Sequence, residues 1–145
     1  MPLVCALNDV VQRLHADHRP DLYRWPPEAE GRRAILDKAR TETAWRLWVA
    51  EGDDDLGGYI ATELQEKAKT APRLPHREGH IHHISVSPDR RRAGVGRALA
   101  KRAIQGLRDQ GADRITVGYW AFNQPSRALF ASLGFEPASI FAELS

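Results

Sequence analysis

Three histidines, His80, His82 and His83, stand together, with Glu63 upstream and Tyr119 downstream. An imidazole with a pKa near 6.5 can accept a proton at neutral pH, and a carboxylate is the other side chain suited to that task. The run from 80 to 86 is short and β-branched and reads as a strand. Strict alternation then places His80 and His82 on one face, above Ile84 and Val86, and turns His83 to the other. His80 and His82 are therefore the candidate general bases, and Glu63, on a neighbouring strand, is the second candidate. The plainer alternative is that these histidines only close hydrogen bonds at a strand end. A zinc site is not expected. Alternation keeps the three from converging, and His76 brings no cysteine or second cluster to join them.

A second constellation follows directly. Pro88 stops the strand, and Asp89-Arg90-Arg91-Arg92-Ala93-Gly94-Val95-Gly96-Arg97 opens a run with apolar residues at Val95, Ala98, Leu99, Ala103 and Leu107. That spacing predicts a helix ending near Gly111, with Arg97, Lys101, Gln105 and Arg108 on its outer face. Gly94 and Gly96 let a ligand approach the backbone. The first turn of a helix offers unpaired N–H groups at its positive dipole end, and the arginines add formal charge. The sum is an anion site, with phosphate the usual anion. A Walker loop is absent, and a dinucleotide fingerprint would need glycine where Leu99 stands.

Arg91-x-x-Gly94-x-Gly96, set between a strand end and an amphipathic helix, resembles the pyrophosphate-binding signature of the GNAT superfamily of acyl-CoA-dependent N-acyltransferases. The later segment Asn123-x-x-Ser126-x-x-Leu129-Phe130-x-x-x-Gly134-Phe135 is similar to that superfamily's other signature, at the expected distance downstream. The resemblance covers residues 56–144 well and the first fifty in outline. It implies an acyl-CoA N-acyltransferase fold in which the strands 80–86 and 114–121 splay apart. The pantetheine arm would lie in the gap against Ile84, Ser85 and Val86. The pyrophosphate would sit on Arg91, Arg92, Ala93, Gly94, Val95, Gly96 and Arg97, and Asn123, Ser126 and Phe130 would flank the cofactor. Acetyl-CoA is the implied donor, with no metal, and an amine is the acceptor. The paired His80 and His82 resemble N-acetyltransferases in which two histidines on this strand relay the amine proton through water.

One position departs from the pattern. The superfamily's frequent tyrosine, which protonates the departing thiolate, is Phe130 here. A thiol with pKa near 8.5 leaves acceptably without it, and Tyr119 offers a nearby hydroxyl. Phe130 is also the one support for a catalytically weak CoA-binding module. A third reading, a nucleic-acid-binding surface across Arg90–Arg102, is disfavoured, because no aromatic residues are interleaved with the arginines.

The elements needed to position these groups follow from pattern. The chain has 145 residues, a net charge of +2 and one cysteine, Cys5. That size makes a single domain, 1–145, and one cysteine excludes an internal disulfide. No apolar run reaches a membrane span and no signal peptide is evident, so a cytoplasmic protein is expected. A small net charge gives no global case for nucleic acid. A homodimer is the default for a soluble oligomer. Residues 2–7 are a lead-in or first strand, and helices are expected from about 9 to 18 and from 26 to 40. Strands are expected at 45–49 and 56–64, with a bulge or close contact at Gly57-Gly58, then a polar loop over 65–79. After the strand 114–121, a short helix opens at Asn123-Gln124-Pro125-Ser126 and ends at Gly134. A final strand is expected over 139–144. The class is α+β, with a mixed, mostly antiparallel sheet and helices on both faces. Tyr23, Trp25, Tyr59, Trp120 and Phe122 are candidate walls of an acceptor pocket.

Overall fold

The computed structural model describes residues 9, 12–22, 37–39, 41–51, 56–70, 72–90 and 94–144. Strands β1 (Trp45–Glu51), β2 (Leu56–Lys67), β3 (His76–Val86) and β4 (Arg114–Val117) form one sheet in the order β1-β2-β3-β4. The first two pairings are antiparallel and β3 pairs β4 in parallel. The longer described helices are α1 (12–18), α2 (Val95–Asp109) and α3 (Gln124–Ser132), with helical backbone also at 37–39 and a 3-10 turn at Pro88–Arg90. The fold is thus mixed α+β, as the sequence implies. The expectations for residues 2–7 and for most of 26–40 lie outside the described residues.

The core lies between the sheet and α2. Ile60 and Ile81 from the sheet meet Leu99, Ala100, Ala103 and Leu107 of α2 and Phe130 of α3. The helical repeat that predicts α2 runs through these positions, and Gly111, with φ of 95°, ends the helix. Gly58 meets the expectation of close contact. A Cβ there would lie 2.8 Å from the Ser85 carbonyl oxygen, and the neighbouring register slip leaves Gly57 as an extra residue opposite Ala50 and Glu51. Helix α3 also starts and ends as its sequence dictates. Asn123 Oδ1 accepts from the Ser126 N–H as its cap, and Gly134, with φ of 94°, closes it.

Three expectations fail. Residues 65–79 are not one loop: β2 runs to Lys67 and β3 starts at His76, with a Thr70–Arg73 bridge between them. The strands zip further because their polar residues face solvent at no cost to cross-strand bonding. The strand begun at Arg114 stops at Val117 rather than reaching 121, because β3 diverges from it there. The final strand over 139–144 is absent. Apolar alternation suits a strand, but a strand needs a partner, and among the described residues no segment pairs with this one. Ile140, Phe141 and Leu144 stand exposed, while Glu143 is held by Arg19.

Candidate active site

The registers of β2 and β3 disagree by one residue across a single step. Ala61 lies opposite His83 and Thr62 opposite Ile81, so His82 is the extra residue of a bulge. This overturns strict alternation. His80 pairs with Glu63 and His83 with Ala61, which puts both on the face away from α2. Ile81 and Ile84 instead pack with the α2 core, so Ile84 is not beneath the histidines. The bulge therefore gathers His80, His82 and His83 on one side of the sheet.

Each imidazole there has a distinct setting. His82 Nε2 lies 2.9 Å from Glu63 Oε1, and its ring stacks on Trp45 at 4.3 Å. Lys38 also lies over Trp45, 4.8 Å from the ring. Burial pushes the Glu63 carboxyl up, but hydrogen bonds from Gln65 and His82 outweigh it and hold the group below the usual range. Glu63 is thus an ionised acceptor and His82 Nε2–H the donor. His80 Nδ1 lies 2.8 Å from Thr116 Oγ1, and its ring meets His82 edge-on at 4.6 Å. Burial first, then the neighbouring His82, lowers the His80 pKa. His83 is pushed down to about 4, chiefly by burial, with His82 and His15 adding to it. Among the described residues no three metal-ligating side chains converge.

These groups open on a cleft of about 1600 Å³. It exists because β3 and β4 pair only from Glu78–Arg114 to Ile81–Val117 and then part. One wall carries His80, His82, His83 and Ile84, and the other carries Thr116, Tyr119 and Trp120. Asn123, Ser126 and Phe130 reach it from the α3 side. Phe130 is buried, with Tyr119 parallel to it at 6.1 Å and Phe135 edge-on at 5.3 Å. Trp120 is a cleft wall as expected, whereas Phe122 stacks on His18 at 4.3 Å and Tyr59 is fully buried in the sheet. Tyr23 and Trp25 lie outside the described residues.

At the end of β3 sits the glycine turn. Gly94 takes φ of 80° as the N-cap of α2, without a side-chain cap, and a Cβ on it would meet nothing within 4 Å. A Cβ on Gly96 would come within 3.4 Å of Val86 and 3.6 Å of Leu129, so the turn is wedged between β3 and α3. Val95 begins the helix there, and Ser85 is buried under Gly58. Arg97 Nη1 donates to Ser132 Oγ at 2.9 Å, and Arg102 lies over Trp48. Arg91, Arg92 and Ala93 lie outside the described residues. The open, left-handed glycine and the uncapped helix start fit a diphosphate, the group expected there.

Residues 10–135 match the model of the acetyltransferase (GNAT) family. The chain belongs to that family. Among curated proteins it is similar to N-acetyltransferase family 8 member 3 of Rattus norvegicus, 33% identical over 66% of this chain and 40% of that one. It is similar also to mycothiol acetyltransferase of Beutenbergia cavernae, 32% identical over 67% of this chain and 30% of that one. The chain spans less than half the length of these two relatives. In structure it is similar to a mutant of the BH1408 protein from Bacillus halodurans, with TM-score 0.89, 22% identity and 99% and 92% of the two chains covered. A GNAT acetyltransferase fold accounts for the parting strands and the glycine-capped helix beside them.

Sequence reasoning missed Trp45, Thr116 and Glu78, which all touch the histidine network. Alternation in 45–49 assigns Trp45 to a strand face, but only the β1–β2–β3 register shows that it lies across from Glu63 and beneath His82. No local signal marks Thr116, because the parallel register of β3 and β4 is set by the crossover through α2.

Proposed function

We propose that this protein transfers an acetyl group from acetyl-CoA to a primary amine of a small molecule or peptide. The observation that carries the reading is the cleft between β3 and β4. It sets two hydrogen-bonded imidazoles on one wall and Tyr119 on the other, and the strand that carries the imidazoles leads into the glycine-capped helix start.

The residues divide the work. The N–H groups opening α2 bind the diphosphate of acetyl-CoA, and Arg91, Arg92 and Arg97, next to the glycine turn in sequence, add positive charge. Beyond Ile81 the β4-facing edge of β3 has no strand partner among the described residues, so its backbone groups there can hold the pantetheine amide and polarise the thioester carbonyl. An alkyl ammonium with pKa near 10.4 is not a nucleophile, so His80 or His82, through water, takes its proton. As the nitrogen bonds to the carbonyl carbon the carbon–sulfur bond breaks, and Tyr119 or solvent returns a proton to sulfur. Glu63 serves His82 as a hydrogen-bond acceptor rather than acting as a base of its own. Phe130 packs beneath the cofactor arm.

The family 8 and mycothiol relatives are named acetyltransferases, and an N-alpha-acetyltransferase of Sulfurisphaera tokodaii is 27% identical over 65% of this chain and 58% of that one. The last name puts short peptides with a free N-terminus in the panel, and small polar amines and lysine peptides complete it as the other primary-amine classes. Thiol release from acetyl-CoA is the measurement. Release that depends on one of these amines, together with heat of association for acetyl-CoA in calorimetry, supports the reading. Binding without release with any amine would leave a CoA-binding module, and no binding would end the reading.

A further inference from the structure

His80 does not contact a carboxylate directly; its Nδ1 lies against Thr116 Oγ1 at 2.8 Å. The same hydroxyl donates to Glu78 Oε2 at 3.3 Å. Glu78 Oε1 in turn accepts from Arg114 Nη1 at 3.2 Å and lies 3.4 Å from His76 Nε2. Burial pushes Glu78 up, but His76, Arg114, Lys67 and Thr116 outweigh it and keep the carboxyl below its usual range.

Valence then decides the direction of every bond. An ionised carboxylate only accepts, so the single Thr116 proton goes to Glu78. The Thr116 oxygen has only lone pairs left for His80, which must present Nδ1–H to it. The register that pairs Glu78 with Arg114 and His80 with Thr116 builds this chain of bonds out of two strands. His82 is set the opposite way, because Glu63 takes its Nε2–H.

We infer that Glu78 and Thr116 are positioning residues that hold His80 in its Nδ1–H tautomer and leave Nε2 as its basic nitrogen. The inference rests on the reading of His80 as a base. The two histidines then offer different nitrogens, Nε2 of His80 and Nδ1 of His82, from rings 4.6 Å apart. Both nitrogens are bare acceptors, so a water between them would donate one proton to each and turn its lone pairs toward the amine. The charged and titratable groups facing His80 are Glu63 and Lys67 from β2 and Glu78 and His82 on β3 itself, while β4 contributes the uncharged Thr116.

Long-range proton–nitrogen NMR on the labelled full chain reads the tautomer directly, without turnover. The expected result is Nδ1 protonated and Nε2 bare in His80. Thr116→Val should move His80 toward the Nε2–H form and lower kcat roughly tenfold, the scale of one hydrogen bond, with KM for acetyl-CoA unchanged. Thr116→Ser should restore both. Glu78→Gln removes a negative charge that favours the imidazolium, so the acid limb of kcat/KM should move to lower pH. A wild-type His80 found as Nε2–H, or a tautomer and pH limb unmoved by both variants, overturns the inference. The parent reading fails differently: His80→Ala would then keep full activity. Should Thr116→Val not fold, the wild-type tautomer and the pH limb of Glu78→Gln still decide.

Discussion

The two faces of β3 are built from one stretch of chain and obey different rules. On the α2 side, Ile81 is 1% exposed, and Ile84 and Val86 pack against the helix and its glycine turn. On the other side, His80 and His82 keep polar partners, and with His83 they open on the cleft. The first face gains stability from dry burial. The second accepts polar groups at half-burial, which is tolerable only because His80 and His82 have hydrogen-bond partners. A strand can serve both purposes because the bulge at His82 separates the two patterns: it adds a polar residue to one face without shifting the apolar residues of the other.

The largest expected effect is on the packed face. Ile81→Ala should cost about 2–5 kcal/mol by urea denaturation, the usual range for a buried isoleucine, with little change in KM of the folded fraction. On the polar face the signs should reverse. His80→Ala and His82→Ala should each lower kcat/KM about a hundredfold or more with a small change in Tm. If both leave the rate and its pH profile intact, the contrast between the faces has nothing to do with chemistry.

Acid sharpens the contrast. As the proposed base, His80 must be neutral, and its pKa is lowered by burial and by His82, so kcat/KM should hold below pH 6.5 and fall only as pH drops through the lowered value. His83 titrates for stability instead. Its pKa falls from 6.5 in the unfolded chain to about 4 in the fold, so it favours folding above pH 6.5, and that contribution is lost as pH falls from 6.5 to 4. His83→Gln should flatten the Tm profile across that window.

Smaller effects belong to the turn and the α3 side. Gly94→Ala forces a side chain into φ of 80°, at about 1 kcal/mol, and should raise KM for acetyl-CoA before it lowers kcat. Phe130→Tyr restores the hydroxyl the superfamily often places there, and turnover should rise modestly without weaker acetyl-CoA binding. No gain would mean that Tyr119 or solvent already supplies the proton.

What could be read in advance follows the range of each interaction. Helix α2, its glycine cap and the Asn123–Gly134 helix are dictated by residues within a few positions of one another, and the structure has them where their patterns place them. The family signatures lie in those same segments. The bulge, the Trp45–His82 stack and the Glu78–Thr116–His80 chain are set by pairing between distant strands, for which alternation within one strand carries no signal. Strict period-two counting put His83 on the wrong side for that reason, and the extension of β2 and β3 past 65 was hidden by prolines that fall just outside the ladder.

The slipped step in β3 has a corollary for how such a strand can be altered. Ile81 faces Thr62 and His83 faces Ala61, adjacent rungs on β2. Excising His82 would therefore leave both flanks in phase and simply mend the ladder. An imidazole so carried behaves like a bead threaded onto a finished string: it can be taken off, or swapped for another side chain, without retuning the hydrophobic lock on the reverse side.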